Sequence, residues 1–136
     1  MSKTSSHTPD LSVSKLTEKE RIILEEALAT RKTALEFEEK EQYMDALERI
    51  IAAMKSLREF PSYDVREFKE VLVLLLFDLA EVHFFLKDYK QSEKELDSLF
   101  KILDSLLKTD PDRFGHLHIL AMELSTRILR SRKKVM

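Results

Sequence analysis

The sequence predicts an all-α protein of about five antiparallel helices. Apolar residues recur at helical spacing through most of the 136-residue chain. One Gly and three Pro are too few for the positive-φ turns that most β architectures need. The absence of Cys excludes a disulfide framework, a Cys-ligated zinc site and thiol catalysis. A formal net charge of −2 provides no general attraction to nucleic acid or membranes.

The N-terminal part, residues 1–16, is expected to be a disordered tail because it is polar and nearly free of apolar side chains. A single domain is expected over residues 17–134. Its first helix should begin after Thr17, because Thr17 and Glu20 have the spacing of a capping box. The N-terminus lacks the basic and apolar regions of a signal peptide, and no apolar run reaches the ~20 residues of a membrane span. We therefore expect a soluble cytoplasmic protein.

A polar segment, residues 38–42, separates two apolar stripes. The second stripe runs from Tyr43 to Leu57. We predict a turn near Lys40 and Glu41, with an antiparallel helix on each side. One continuous helix over residues 18–59 is the alternative, because no Gly or Pro interrupts it. Such a helix would be ~60 Å long, and the rest of the chain could hardly cover its apolar stripes.

The third helix follows Pro61, because the residue before a proline avoids the α region. Asp64 and Glu67 have the spacing of an N-terminal cap. The centre of this helix, residues 71–77, is apolar on every side. Such a helix lies in the middle of a packed array or at an oligomer interface.

Two further helices complete the chain. The segment Lys87 to Tyr89 marks a turn, and Asp88 is placed to cap a fourth helix that runs to about Lys108. Asp110 and Pro111 mark the start of a fifth helix. It carries an apolar face and ends in basic residues, which are favoured near a helix C-terminus.

An internal repeat appears when the chain is shifted by 46 residues. Both units have the same order: a small residue, a ring, the turn, Tyr, a small residue and large or small apolar residues. The matched pairs are Ala34 and Ala80, Phe37 and His83, Tyr43 and Tyr89, Ala46 and Ser92, Ile50 and Leu96, and Ala53 and Leu99. Small residues allow two helices to approach closely, so we expect Phe37 near Ala46, and His83 near Ser92.

This pattern resembles the tetratricopeptide repeat over about residues 17–108. Glu41 and Lys87 stand where the family usually has Gly, Leu99 replaces a small residue, and the usual Trp is absent. The shift also exceeds the family's period of ~34 residues. The resemblance implies two helical hairpins and a C-terminal capping helix. It further implies a non-enzymatic adaptor that binds a partner segment in a groove.

The resemblance places the first helix of each hairpin along that groove. The candidate partner-binding residues are Leu74, Phe77, Glu81, Phe84 and Phe85 in the second hairpin, and Arg31 and Leu35 in the first. Aromatic side chains in a groove are typical anchors for a bound peptide. The alternative is that the large apolar residues belong to the core, where such residues are most often found.

A basic cluster near the C-terminus is a candidate anion-binding site. Its members are Arg127, Arg130, Arg132, Lys133 and Lys134. Binding of nucleic acid or an anionic surface is one interpretation, and solvation of a helix end is the other. His116 and His118 are two residues apart and would point to nearly opposite sides of a helix, which argues against a metal pair.

The expected partner is therefore a protein or a peptide, and a homodimer remains open. We expect no metal, no cofactor, no membrane partner and no enzymatic activity, because no nucleophile–base pair or ligand cluster is recognisable. A self-associating helical bundle is one alternative function. The other is a small nucleic-acid-binding regulator that uses the basic C-terminal helix.

Overall fold

The computed structural model describes residue 9 and residues 15–61 and 64–135. Within these ranges it is all-α, with α1 Glu18–Glu39, α2 Tyr43–Leu57, α3 Arg66–Phe85, α4 Tyr89–Thr109 and α5 Pro111–Val135. The prediction of an all-α chain with five helices is confirmed. Most of the predicted disordered tail, residues 1–8 and 10–14, lies outside the described residues, as does the side chain of Lys134.

Helix α1 begins with the predicted capping box. The Glu20 amide donates to Thr17 Oγ1 over 3.1 Å, and the Thr17 amide donates to Glu20 Oε1 over 2.9 Å. Two backbone donors at the helix start are thereby paired, which stabilises this end of the helix. One turn further on, Arg21 bridges Glu18 and Glu25 along the exposed side of the helix.

The turn between α1 and α2 falls in the polar segment, so the continuous helix is excluded. The Gln42 amide donates to the Phe37 carbonyl (2.9 Å), and the Glu41 amide donates to the Glu38 carbonyl (3.0 Å). This pair of bonds is a Schellman motif, which needs a residue in the left-handed region. Glu41 supplies it with φ 59°.

The turn between α3 and α4 has the same hydrogen bonds, 46 residues further along the chain. The Asp88 amide donates to the His83 carbonyl (2.8 Å), and the Lys87 amide donates to the Phe84 carbonyl (3.0 Å). Lys87 has φ 66°. The two positions where the resembling family usually has Gly are therefore the two left-handed positions of this backbone.

Side-chain caps form at the predicted starts of α4 and α5. Asp88 Oδ1 accepts from the Gln91 amide over 3.3 Å, and Asp110 Oδ1 accepts from the Arg113 amide over 3.2 Å. Helix α3 begins one residue later than predicted, at Arg66. In its first turn the Lys69 amide donates to the Val65 carbonyl over 3.1 Å.

The chain divides into two compact units, residues 1–75 and 76–136. The first holds α1, α2 and the start of α3. In it α1 packs against α2, with Ala34 and Ala46 fully buried, as expected for a hairpin folded back near Phe37. Beyond α2, the rings of Phe60 and Phe68 stack with centroids 5.2 Å apart.

The second unit holds the end of α3, α4 and α5. Helix α4 packs against α5. It also meets α3 closely, because the Ser92 hydroxyl donates to the Ala80 carbonyl over 2.7 Å and both residues are fully buried. This contact confirms the expected approach of α3 and α4 around His83 and Ser92.

The middle of α3 is covered on all sides. Every residue from Val71 to Ala80 is buried except Leu72, which is half-buried. The apolar segment predicted from sequence therefore finds its cover within one chain, and an oligomer interface is not needed to bury it. Among the helices of the described residues, none combines the length and apolar character required to cross a bilayer.

Candidate partner-binding site

Three aromatic rings meet where α3 turns into α4. The Phe84 ring lies 5.6 Å from the Phe85 ring in an edge-on arrangement and 5.8 Å from the Tyr89 ring, measured between centroids. All three side chains are half-buried. The left-handed Lys87 reverses the chain between them, so that the first residue of α4 returns onto the last turn of α3.

Arg127 of α5 lies over these rings. Its Cζ atom is 4.7 Å from the Phe84 centroid and 5.8 Å from the Phe85 centroid. A guanidinium at this distance is attracted by the ring face, and the rest of the exposed Arg127 side chain meets solvent. Phe84, Phe85, Tyr89 and Arg127 together form what we call the aromatic–arginine cluster.

A buried polar pair lies next to this cluster. His83 Nδ1 is 2.7 Å from Glu95 Oε1, and Gln91 donates to Glu95 Oε2 over 3.3 Å. The His83 and Glu95 side chains are only 14% and 8% exposed. The hydrogen bond that His83 donates to Glu95 raises the pKa of His83 above its ordinary value of 6.5. Burial lowers this pKa, and the charges of Glu95 and Asp88 raise it.

The first hairpin has a related contact at the matching positions. The 46-residue shift places Phe37 on His83 and Arg49 on Glu95. Arg49 Cζ lies 6.0 Å from the centroid of the Phe37 ring. In each hairpin, the ring before the turn therefore contacts a charged side chain twelve residues later, by cation–π attraction in one and by an ion pair in the other.

Most of the candidate groove residues are not at the surface. Leu74, Phe77, Leu35 and Arg31 are all buried, and even the Arg31 residue is only 3% exposed. Glu81, Phe84 and Phe85 are half-buried. Their role in partner binding remains a prediction, and the part that a partner can reach is the C-terminal end of α3.

The candidate anion-binding residues take different positions. Arg127 lies on the aromatic rings, and Arg132 Nη1 pairs with Glu93 Oε2 of α4 over 2.5 Å. Arg130 and Lys133 are exposed. Two of the basic side chains, Arg127 and Arg132, thus contact α3 or α4. Anion binding stays a prediction for this end of α5.

The histidines of α5 do not come together. His118 is half-buried and packs edge-on against Phe100, with centroids 6.0 Å apart, whereas His116 is exposed. Within residues 15–61 and 64–135, no three side chains of His, Cys, Asp or Glu are grouped so that they could hold a metal ion.

The sequence identifies Phe84, Phe85 and Arg127 as candidate binding residues, but it does not predict that they contact each other. From the sequence, Phe84 and Phe85 are candidates for partner binding and Arg127 for anion binding, whereas Tyr89 is only the Tyr that follows the turn in the repeat. The signal that could have joined them is the predicted packing of α5 as a cap. That prediction did not specify which side of α5 faces α3.

Comparisons with known proteins add no family or function. The chain matches no protein-family model, and neither the curated proteins nor the solved structures contain a significant match. The tetratricopeptide resemblance therefore depends on the repeated residues and the two similar turns.

Proposed function

We propose that the protein is a non-enzymatic interaction module that binds a partner segment at the aromatic–arginine cluster. The observation that supports this proposal is the position of Arg127 over the half-buried Phe84 and Phe85 rings. Tyr and Arg are among the residues that dominate the binding energy of protein interfaces, and aromatic residues are enriched there. Here they come from three helices and meet at one surface point.

The cluster is largely preorganised. Phe84 and Tyr89 flank a turn that is held by two backbone hydrogen bonds, and their rings already contact each other. Side chains that are ordered before binding lose less conformational entropy when a partner arrives. A small contact area at this site can therefore contribute more affinity than the same area on flexible side chains.

The cluster indicates the chemistry of the segment it would bind. The rings offer apolar contact, and the Arg127 guanidinium that lies over them carries a fork of N–H donors that suits a carboxylate. Lys87 and Lys90, which are both exposed near the turn, add positive charge. The proposed ligand is a peptide segment that carries an apolar side chain next to an acidic group.

A comparative capture experiment tests the proposal. Immobilised wild type, Arg127→Ala and Phe85→Ala are incubated with native lysate, and retained proteins are identified by mass spectrometry. Arg49→Ala is the matched control, because Arg49 also lies over a Phe ring but in the first hairpin. We expect proteins that wild type and the control retain to be lost from both cluster variants. Equal retention by all four would contradict the proposal, provided that circular dichroism shows each to be folded.

A further inference from the structure

Helix α2 carries a second apolar stripe besides the one it buries. Its buried residues are Ala46, Ile50, Ala53 and Leu57. The second stripe, which we call the outer stripe, consists of Met44, Leu47, Ile51 and Met54. Met44 and Ile51 are 61% and 42% exposed, and the other two are half-buried.

The second hairpin shows that most of this helix face does not need apolar residues for a hairpin to fold. The 46-residue shift places Lys90, Glu93 and Asp97 of α4 on Met44, Leu47 and Ile51 of α2. These three α4 positions are charged, whereas the fourth, Phe100 on Met54, is apolar and packs against His118 of α5. The matching α2 positions are all apolar, although Met44 and Ile51 are exposed. Solvation alone therefore does not explain the outer stripe.

We propose that the outer stripe is the contact surface of a homodimer in which α2 packs antiparallel against α2 of a second copy. The stripe repeats at alternating steps of three and four residues, which is the spacing of a helix–helix seam. With a two-fold axis near residue 49, Met44 lies opposite Met54 of the partner subunit, and Leu47 lies opposite Ile51 of the partner subunit. Every layer of this seam is apolar.

The charges beside the stripe fit a second copy in this orientation. The exposed Asp45 and Glu48 follow the start of α2, and the exposed Lys55 and Arg58 stand at its end. An antiparallel pair places the acidic start of each helix beside the basic end of the other, whereas a parallel pair places like charges together. The two Glu48 side chains approach each other near the axis, so this position opposes the dimer.

The surface is consistent with a weak dimer. A single pair of helices of this length lies at the small end of specific interfaces. Two-fold dimers are the commonest oligomers, and they need only one self-complementary patch. The proposal is independent of the aromatic–arginine cluster, because α2 contributes no residue to it.

Sedimentation equilibrium of the full chain, from low to high micromolar concentration, tests the dimer. We expect wild type to pass from monomer to dimer, and Ile51→Glu to raise the dissociation constant at least tenfold. Ile119→Glu is the matched control, because Ile119 is an equally apolar residue on α5 that is 56% exposed. Glu48→Gln should lower the dissociation constant. Wild type that remains monomeric, or an equal effect of the control variant, overturns the proposal.

Charge reversal tests the orientation. A basic variant, Asp45→Lys with Glu48→Lys, and an acidic variant, Lys55→Glu with Arg58→Glu, should each dimerise more weakly than wild type. Mixed together, they should form a heterodimer that native mass spectrometry detects. No weakening of the basic variant overturns the antiparallel arrangement. The Arg127→Ala variant should dimerise like wild type, so failure of the cluster proposal is distinguishable from failure of this one.

Discussion

The two hairpin turns each place a residue other than glycine, Glu41 or Lys87, in a strained backbone conformation. Both adopt the left-handed region, with φ 59° and 66°. For a residue with a Cβ atom this conformation costs roughly 1–2 kcal/mol. The chain tolerates the cost at both turns because each reversal brings two apolar stripes together.

Lys87→Gly should stabilise the protein. Glycine removes the free-energy cost of the left-handed conformation. Its greater backbone freedom in the unfolded chain offsets roughly 0.5–1 kcal/mol of this gain. We expect the free energy of unfolding to rise by about 0.5–1 kcal/mol in urea denaturation. Lys90→Gly, in the first turn of α4, is the control and should lower it by up to about 1 kcal/mol. A loss of stability in both variants would show that Lys87 is not strained.

The His83–Glu95 pair should make stability depend on pH. The pair raises the pKa of His83 in the folded protein above its ordinary value of 6.5. The folded state then binds the proton more tightly than the unfolded state does. The stabilisation is complete below about pH 6.5 and is lost as pH rises through the raised pKa. We expect a loss on the order of 1 kcal/mol, measured as the free energy of unfolding in urea at a series of pH values.

The first hairpin provides the control for this pH dependence. The double variant His83→Phe with Glu95→Arg copies the Phe37–Arg49 contact into the second hairpin. It removes the titrating ring and leaves no unpaired carboxylate behind. The double variant should fold and show a smaller decline of stability over the same pH range. An unchanged decline would assign the effect to groups other than the His83–Glu95 pair.

Among the helices, the hairpins depend on small residues where two backbones approach. Ala46 of α2 is fully buried, and at the matching position of α4 the Ser92 hydroxyl donates to the backbone of α3. Ala46→Leu should lower the free energy of unfolding by about 1–3 kcal/mol, because no space exists for a larger side chain. Ala52→Leu, on the exposed side of α2, is the matched control and should change stability by less than about 0.5 kcal/mol. Similar effects of both changes in thermal denaturation would contradict close packing at Ala46.

Element starts and turns were predictable where local chemistry determines them. Thr17, Asp88 and Asp110 cap their helices through bonds within a few residues. The turn at residues 40–41 has no Gly or Pro, and it followed only from the need to cover two apolar stripes. Helix α3 begins at Arg66, within one residue of the start predicted from Asp64 and Glu67.

The candidate site was predictable only in part, because α3 is apolar on every side. The sequence makes Leu74, Phe77 and Phe84 equal candidates for partner binding. Of these three, only Phe84, near the helix end, is partly accessible in the structure. Which portion of such a helix is covered depends on packing between distant segments. For the same reason, the spacing of residues in α5 could not show that Arg127 would lie on the α3 rings.

For the whole molecule, exposed apolar surface is distributed unevenly. In the part of the chain that the structure describes, the large apolar side chains with high exposure lie on α1, α2 and α5: Ile22, Met44, Ile51, Ile119, Met122 and Leu129. Helix α3 instead is buried through its middle and belongs to both compact units. Its buried apolar residues contribute to stability, whereas the surfaces that we propose for interaction lie at its C-terminal end and on α2.

Because α3 belongs to both units, hydrogen exchange along it can show whether the two units unfold together. The boundary between the units falls inside α3, between Leu75 and Leu76, and its backbone hydrogen bonds continue across it. Opening one unit alone would have to break a helix whose side chains are buried at that point. In native-state hydrogen exchange we therefore expect the amides of residues 73–80 to be the slowest in the chain and to exchange with the free energy of global unfolding. Amides near the ends of α1 and α5 should exchange faster, through local fraying. If the amides of Val73 and Leu79 instead differed by more than about 1 kcal/mol, the two units would open separately, and α3 would not couple them.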